Sequence, residues 1–132
     1  MFRIRNLKEE DYDTLCKWWS KNRFPSPTRA MLPDNGLGGV MVQVDGVDVC
    51  ACFLYLTNST ICWIEYLVMD FDYKDRENRE KIKEMAIGQL CIFAKEMGYE
   101  GVFTSLKKPQ LIKNFENIGF SKDNSVEMAL KL

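Results

Sequence analysis

Residues 61–98 read ICWIEYLVM, DFDYKDREN, REKIKEMAIGQLCIFAKEM and G in succession, and the change of pattern inside this stretch decides the fold. Ile61 to Met69 is a run of apolar, β-branched and aromatic residues, the composition of a strand. Asp70 to Asn78 is polar. From about Arg79 to Met97 the apolar residues Ile82, Met85, Ala86, Leu90, Phe93, Ala94 and Met97 recur at helical spacing, and Gly98 suits the residue just past a helix end. Glu65 is the only charge in the strand run; by simple alternation it shares a face with Trp63, Leu67 and Met69.

Outward from this stretch, Val40 to Val44 and Val47 to Leu56 flank Asp45-Gly46, a strong hairpin signal, and the turn-rich Thr57-Asn58-Ser59-Thr60 leads into Ile61. Phe2 to Arg5 alternates apolar and basic residues as a short strand. Lys8 to Trp19 carries Tyr12, Leu15, Cys16 and Trp19 at amphipathic helical spacing. Ser20 to Gly39 contains Pro25, Pro27, Pro33, Gly36, Gly38 and Gly39 and reads as a long loop with one helical turn near Arg29 to Leu32. Beyond Gly98, Val102 to Ser105 is a strand, Pro109 to Ile118 a helix closed by Gly119, and Val126 to Leu132 a last strand. The expectation is one α/β (α+β) domain over residues 1–132, with a mostly antiparallel sheet of about six strands and helices on both faces.

Composition narrows the chemistry. The 132 residues are 46% hydrophobic and 28% charged, enough apolar material for a core without metal or disulfide. A net charge of −1 gives no global field toward nucleic acid or an anionic membrane, so neither is expected as a partner. The chain has no histidine, which excludes Ser-His and Cys-His nucleophile pairs and a His general base. Its five cysteines form no CxxC pair, match no metal-site spacing, and lie in apolar runs, as buried thiols of a reducing cytoplasm. Cys50 and Cys52 share a strand face, but their apolar surroundings predict a raised thiol pKa, so packing is preferred over nucleophilic catalysis. No apolar leader or membrane span is present, and a cytoplasmic protein without metal is expected.

The element order, the helix end Ala94-Lys95-Glu96 before Gly98, and Asn114-Phe115-Glu116-Asn117-Ile118-Gly119-Phe120 resemble the GNAT family of N-acetyltransferases over essentially the whole chain. The resemblance is to a small phage-type or bacterial member. It implies that the strand before the central helix splays from its neighbour, that acetyl-CoA lies in the cleft as co-substrate, and that its pyrophosphate meets the helix start within the motif Q/R-x-x-G-x-G/A. Counting back from Gly98 places this motif at Arg76-Glu77-Asn78-Arg79-Glu80-Lys81, with Arg79 and Lys81 replacing both glycines. Glycines there let the backbone approach a phosphate closely.

The basic replacements admit two readings. Arg79, Lys81 and Lys83 oppose the macrodipole in the opening turns of a helix, by roughly 0.3–1 kcal/mol each. A bound pyrophosphate would reverse that sign and make the side chains a phosphate clamp. Alternatively, Glu77, Glu80 and Glu84 compensate the bases along a solvated face. The candidate cofactor contacts are Leu67, Val68 and Met69 on the strand, where the resemblance implies a backbone amide near Met69 holding the acetyl carbonyl, and Arg76, Asn78, Arg79, Lys81, Ile82 and Lys83 on the helix.

Glu65 is the candidate general base, since a carboxylate among apolar neighbours has a raised pKa and can take a proton from an ammonium substrate. The resemblance implies the same role for a glutamate thirteen residues before the motif's third position, the spacing of Glu65 to Asn78. A paired glutamate on a sheet face is the structural alternative. The usual tyrosine four residues before the Gly-Phe glycine is Phe115 here, and Lys108 stands where asparagine is common. Tyr66, Tyr73 or solvent are left to protonate the CoA sulfur, and Tyr66 stands with Glu65 as a candidate catalytic residue. Trp18, Phe24 and Trp63 are the candidate acceptor contacts; an aromatic rim favours a cationic amine, whether small molecule or protein side chain. The resemblance implies direct attack of the amine on acetyl-CoA without an acyl-enzyme. Its rival is a catalytically inactive GNAT-like protein that binds a protein partner or senses acyl-CoA. Monomer and homodimer both stay open, the latter through an exposed strand edge.

Overall fold

The computed structural model describes residues 1–132, and the elements follow the chain as β1 (Phe2–Asn6), α1 (Asp11–Lys21), β2 (Gly39–Val44), β3 (Val47–Tyr55), β4 (Ile61–Met69), α2 (Arg76–Glu96), β5 (Gly101–Phe103) and α3 (Pro109–Ile118). Short 3-10 turns at Arg29–Met31 and Pro33–Gly36 fold the long loop, the first of them where one helical turn is expected. The sheet order is β1-β2-β3-β4-β5. The first four strands are antiparallel neighbours, and β5 joins β4 in parallel. The β2–β3 hairpin turns at Asp45 and Gly46, whose φ values of 50° and 82° are those of a type I′ turn. Gly39 is required by close approach: a Cβ there would lie 2.1 Å from the Cys52 carbonyl oxygen.

One sheet face is covered by α2 and α3. Ile82, Ala86, Ile87, Leu90 and Ala94 from α2 and Phe115 from α3 pack on Val40, Val42, Cys50, Cys52, Leu54 and Ile64. The opposite face is covered by α1 and the long loop, with Leu15, Trp18, Trp19 and Leu32 on Met41, Ala51, Phe53 and Val68. Both neighbouring tryptophans are buried, Trp18 at 6% exposure, so Trp18 belongs to this core and not to the aromatic rim expected of an acceptor contact. Trp18 and Trp19 leave α1 about 100° apart, and both fall within the apolar cluster that Leu7, Leu32 and the sheet form around this helix.

Arg5 ties three elements together. Its guanidinium makes a two-pronged contact with Asp11 at the start of α1 (2.8 and 2.9 Å) and a further bond to Asp48 on β3 (2.9 Å). Burial pushes the Asp11 carboxyl up, but the Arg5 guanidinium and the Lys8 amide outweigh it and hold the group below the usual aspartate range. Asp11→Asn therefore costs on the order of 2 kcal/mol at neutral pH, read from the denaturant midpoint. Because the folded-state pKa is depressed, this contribution is present above the ordinary aspartate pKa. It is lost as pH falls through the lowered one, so the variant has a flatter acid limb of stability than the wild type.

Several elements differ from the sequence reading. α2 begins at Arg76 rather than Arg79, because the Asp75 carboxylate caps it by accepting the Asn78 amide at 3.2 Å. β5 stops at Phe103 because Thr104 and Ser105 turn toward β4. The sheet has five strands and not about six, since Val126–Leu132 joins none of them. Alternation marks the two faces of a strand, but a strand exists only against a partner, and within one copy of the chain this segment has none.

Candidate active site

β4 and β5 pair only over Ile61–Trp63 and Gly101–Phe103, so Ile64–Met69 has no strand partner on that side and the two strands diverge. Glu65 sits at the point of divergence. Its Oε1 accepts the Ser105 amide at 2.8 Å and lies 3.1 Å from the Thr104 hydroxyl, which also reaches the Ile64 carbonyl at 2.6 Å. Half-burial pushes the Glu65 carboxyl up; the Ser105 amide and Thr104 hydroxyl oppose this without cancelling it, and the nearby Glu127 charge adds to the rise. A carboxyl with raised pKa, its second oxygen free of any protein partner, is suited to receive a proton near neutral pH.

A bulge sets the direction of Glu65. On β3 the partners Ala51 and Phe53 are two residues apart, whereas their partners on β4, Val68 and Glu65, are three apart. The extra residue is absorbed at Tyr66, which has a left-handed backbone with φ 58°. The bulge reverses alternation, so Leu67 and Met69 pack with the α2 face while Glu65, opposite Phe53, faces α1. This corrects the shared face expected for Glu65, Leu67 and Met69. Tyr66 instead joins the Glu65 side, with Trp19, Phe24 and Tyr55 around it at centroid distances of 6.3, 6.3 and 6.4 Å. Burial, then the charge of Glu65, raises the Tyr66 pKa, so its phenol stays protonated and able to donate. Phe24 is 46% exposed at the rim, and Trp63 stacks on Phe103 at 5.1 Å. Phe24 and Tyr66 thus come together, Trp63 lies three residues before Tyr66 on β4, and Trp18 is buried in the core under α1.

A cavity of about 480 Å³ opens where β4 ends and α2 begins, lined by Asn22, Tyr73, Lys74, Arg76, Arg79 and Glu80, among others. Three cations face one carboxylate there. Arg79 donates to the Asp70 and Tyr73 carbonyls and so staples the β4–α2 connection. Lys74 is held 4.1 Å over the Phe71 ring. Lys81 lies on another side of α2, 5.7 Å from the Phe2 ring, and Lys83 pairs with Glu80 at 3.1 Å. Ile82 is fully buried in the core. Asn78 spends its side-chain amide on Asp75 at 2.9 Å. Of the basic residues singled out in the sequence, Arg76 and Arg79 reach the cavity, whereas Lys81 and Lys83 are not among its lining residues.

Residues that the sequence reading missed surround these. Thr104 and Ser105 anchor Glu65 from what reads as the end of a strand. Asn22 closes α1 and donates to the Met69 carbonyl at 3.1 Å, joining α1 to the end of β4 at the cavity. Neither has a sequence signal of its own, since each depends on where two strands part. The thiols stay out of the chemistry: burial pushes Cys50 up to about 12 and raises Cys52 and Cys62. Phe115, 2% exposed, packs edge-on against Phe120 at 5.0 Å and has no proton to give.

No protein-family model matches the chain, and no curated protein is similar to it in sequence. Solved structures are similar in fold. An aminoglycoside acetyltransferase from an uncultured soil metagenomic sample superposes with a TM-score of 0.69 at 16% identity, covering 99% of this chain and 96% of its own. An acetyltransferase of Trypanosoma brucei does so with a TM-score of 0.68 at 18% identity, covering 100% of both chains. AAC(6')-Iy, in complex with the bisubstrate analogue CoA-S-monomethyl-acetylneamine, gives 0.70 at 14% identity over 100% of this chain and 99% of that one. With its splayed β4 and β5, its bulged β4 and α2 beginning at the open end, the chain has the GNAT N-acetyltransferase fold.

Proposed function

We propose that the protein moves an acetyl group from acetyl-CoA to an amine by direct attack, and the observation that carries this reading is Glu65. A carboxyl with raised pKa is fixed by Ser105 and Thr104 at the mouth of the β4–β5 opening, beside the aromatic group around Tyr66. The free edge of β4 through Met69 would receive the thioester, with a backbone amide near Met69 polarising the carbonyl. The acceptor ammonium loses one proton to Glu65, directly or through water; the amine nitrogen bonds to the acetyl carbon as the carbon–sulfur bond breaks, and the second proton that this nitrogen sheds reaches the leaving thiolate through Tyr66 or solvent. A thiolate with a pKa near 8.5 leaves tolerably without that help. Phe24, Tyr66 and Trp63 would favour a cationic acceptor.

Asp75 shapes the cofactor end. Its carboxylate holds the Asn78 amide that a phosphate would otherwise take, so the pyrophosphate would be held by the side chains of Arg76 and Lys74, with Arg79 keeping the loop in place. Arg76→Ala is expected to weaken acetyl-CoA binding about tenfold and to flatten its salt dependence, read by equilibrium dialysis at low and high salt. The same Asp75 cap, with Phe115 in place of a phenol, favours a second reading in which the cleft binds acyl-CoA without turnover. The two separate in one assay, free CoA thiol released from acetyl-CoA over a panel of amines. Acceptor-dependent release supports transfer, and tight acetyl-CoA binding with no release on any amine would favour the sensor.

A further inference from the structure

We propose that the acceptor is a diammonium compound, an aliphatic amine with a second ammonium group beside the one that reacts, and that Glu127 and an aromatic shelf on the sheet hold this second cation. The inference rests on the acetyl-transfer reading and names the substrate class of the same site. Strand register builds the shelf. Tyr55, Trp63 and Phe103 are partners across β3, β4 and β5, so their rings stand in one row, and Glu65 lies on the same face two residues further along β4. Trp63 and Phe103 stack at 5.1 Å, and the row continues from Tyr55 to Tyr66 at 6.4 Å and on to Phe24 at 6.3 Å. The row is open to solvent: Phe103 is 48% and Phe24 46% exposed, while Tyr55 and Trp63 are only partly buried.

Charge decides what lies on the shelf. Elsewhere the chain sets its own cations over rings, Arg29 over Tyr12, Lys74 over Phe71 and Lys81 over Phe2. No side-chain cation covers the shelf, and two carboxylates flank it instead. Glu65 is held by Thr104 and Ser105 alone, and neither Glu65 nor the exposed Glu127 forms a salt bridge. Glu127 stands close enough for its charge to act on both Glu65 and Tyr66, which brings the C-terminal segment to the mouth of the site. Ring faces and carboxylates both attract cations, and here two negative groups have no positive partner. A monoamine neutralises one of them. A diammonium acceptor neutralises both, with its reacting end at Glu65, its other end at Glu127 and its methylene chain over the rings. Acetylation turns the reacting ammonium into a neutral amide, so the product has one cation fewer, is held less tightly and leaves singly acetylated.

The test has a binding arm that needs no turnover. Calorimetric titration of the full chain at low salt compares the diamines from 1,3-diaminopropane to 1,6-diaminohexane with the 1-aminoalkanes of the same length. The best diamine is expected to bind on the order of tenfold more tightly than its monoamine. Glu127→Gln removes the second carboxylate and Phe103→Leu removes a ring face while keeping an apolar side chain; each is expected to lose most of that preference. Both side chains are exposed, and far-UV circular dichroism checks that the variants fold. With acetyl-CoA present, kcat/KM follows the same preference, the loss in Glu127→Gln falls on KM, and the singly acetylated diamine accumulates. Absence of turnover with every amine would remove the acetyl-transfer reading and leave the binding arm to decide the second-cation site. Equal affinity for diamine and monoamine, no binding of either at millimolar concentration, or a preference that either substitution leaves intact overturns the proposal.

Discussion

If the protein transfers acetyl groups as proposed, Glu65→Gln is expected to lower kcat/KM by about two to three orders of magnitude, the range typical of a lost general base. Acetyl-CoA affinity is expected to be unchanged, because the phosphate end lies beyond the end of β4, around Arg76 and Lys74. Gln keeps the size of the side chain and can still accept from the Ser105 amide, so the contact between β4 and the end of β5 is kept. A merely structural glutamate would also tolerate this change, but without loss of rate. The pH profile separates the two roles. Since burial raises the Glu65 pKa, the wild-type rate rises with pH through a limb that lies above the ordinary glutamate range, as the carboxyl becomes a base. In Glu65→Gln that limb disappears, and what remains follows the deprotonation of the amine itself. A variant that keeps both its rate and its acid limb would remove Glu65 from the chemistry.

Phe53→Ala costs about 3–5 kcal/mol, much of the 5–15 kcal/mol that holds an ordinary domain folded. Phe53 is fully buried, stacks on Trp19 at a centroid distance of 6.5 Å and an angle of 21°, and pairs across the sheet with Glu65. Removing the ring leaves a hole beneath α1, where the neighbouring Leu15 and Trp19 are already fixed by packing. The midpoint of urea unfolding falls with its slope unchanged, if the loss is one of native packing. At temperatures where the variant is still folded, its acetyl-transfer rate also drops, since the strand position opposite the base has lost its support. A shift of less than about 1 kcal/mol would mean that this face of the sheet is less tightly packed than the buried areas imply.

The parts of the fold that were legible in the sequence are those fixed by local pattern. The Asp45-Gly46 hairpin, the helical stripe from Ile82 to Ala94 and the Gly119 stop each have a local cause, and each is where the pattern puts it. What escaped depends on contacts between distant residues. The bulge at Tyr66 breaks strict alternation, and no residue type marks it, because Tyr is an ordinary strand residue that here adopts a left-handed backbone. Thr104 and Ser105 look like more strand until Glu65 is seen to need donors. Val126–Leu132 has the alternation of a strand and lacks an edge to pair with in its own chain. In the candidate site, Glu65 was conspicuous as a lone charge in an apolar run. The run of basic residues from Arg76 to Lys83 was conspicuous too, but charge alone could not distribute it. Helical geometry sends Arg76 and Arg79 to the cavity, Lys81 toward Phe2 and Lys83 to Glu80.

The central claim is that the open end of the β4–α2 junction holds acetyl-CoA. Calorimetric titration of the wild-type chain with acetyl-CoA, at low and at high salt, tests it most directly. One site per chain is expected, with micromolar affinity at low salt that weakens several-fold as salt screens Lys74 and Arg76 from the pyrophosphate. No binding at millimolar acetyl-CoA, in either salt, would contradict it.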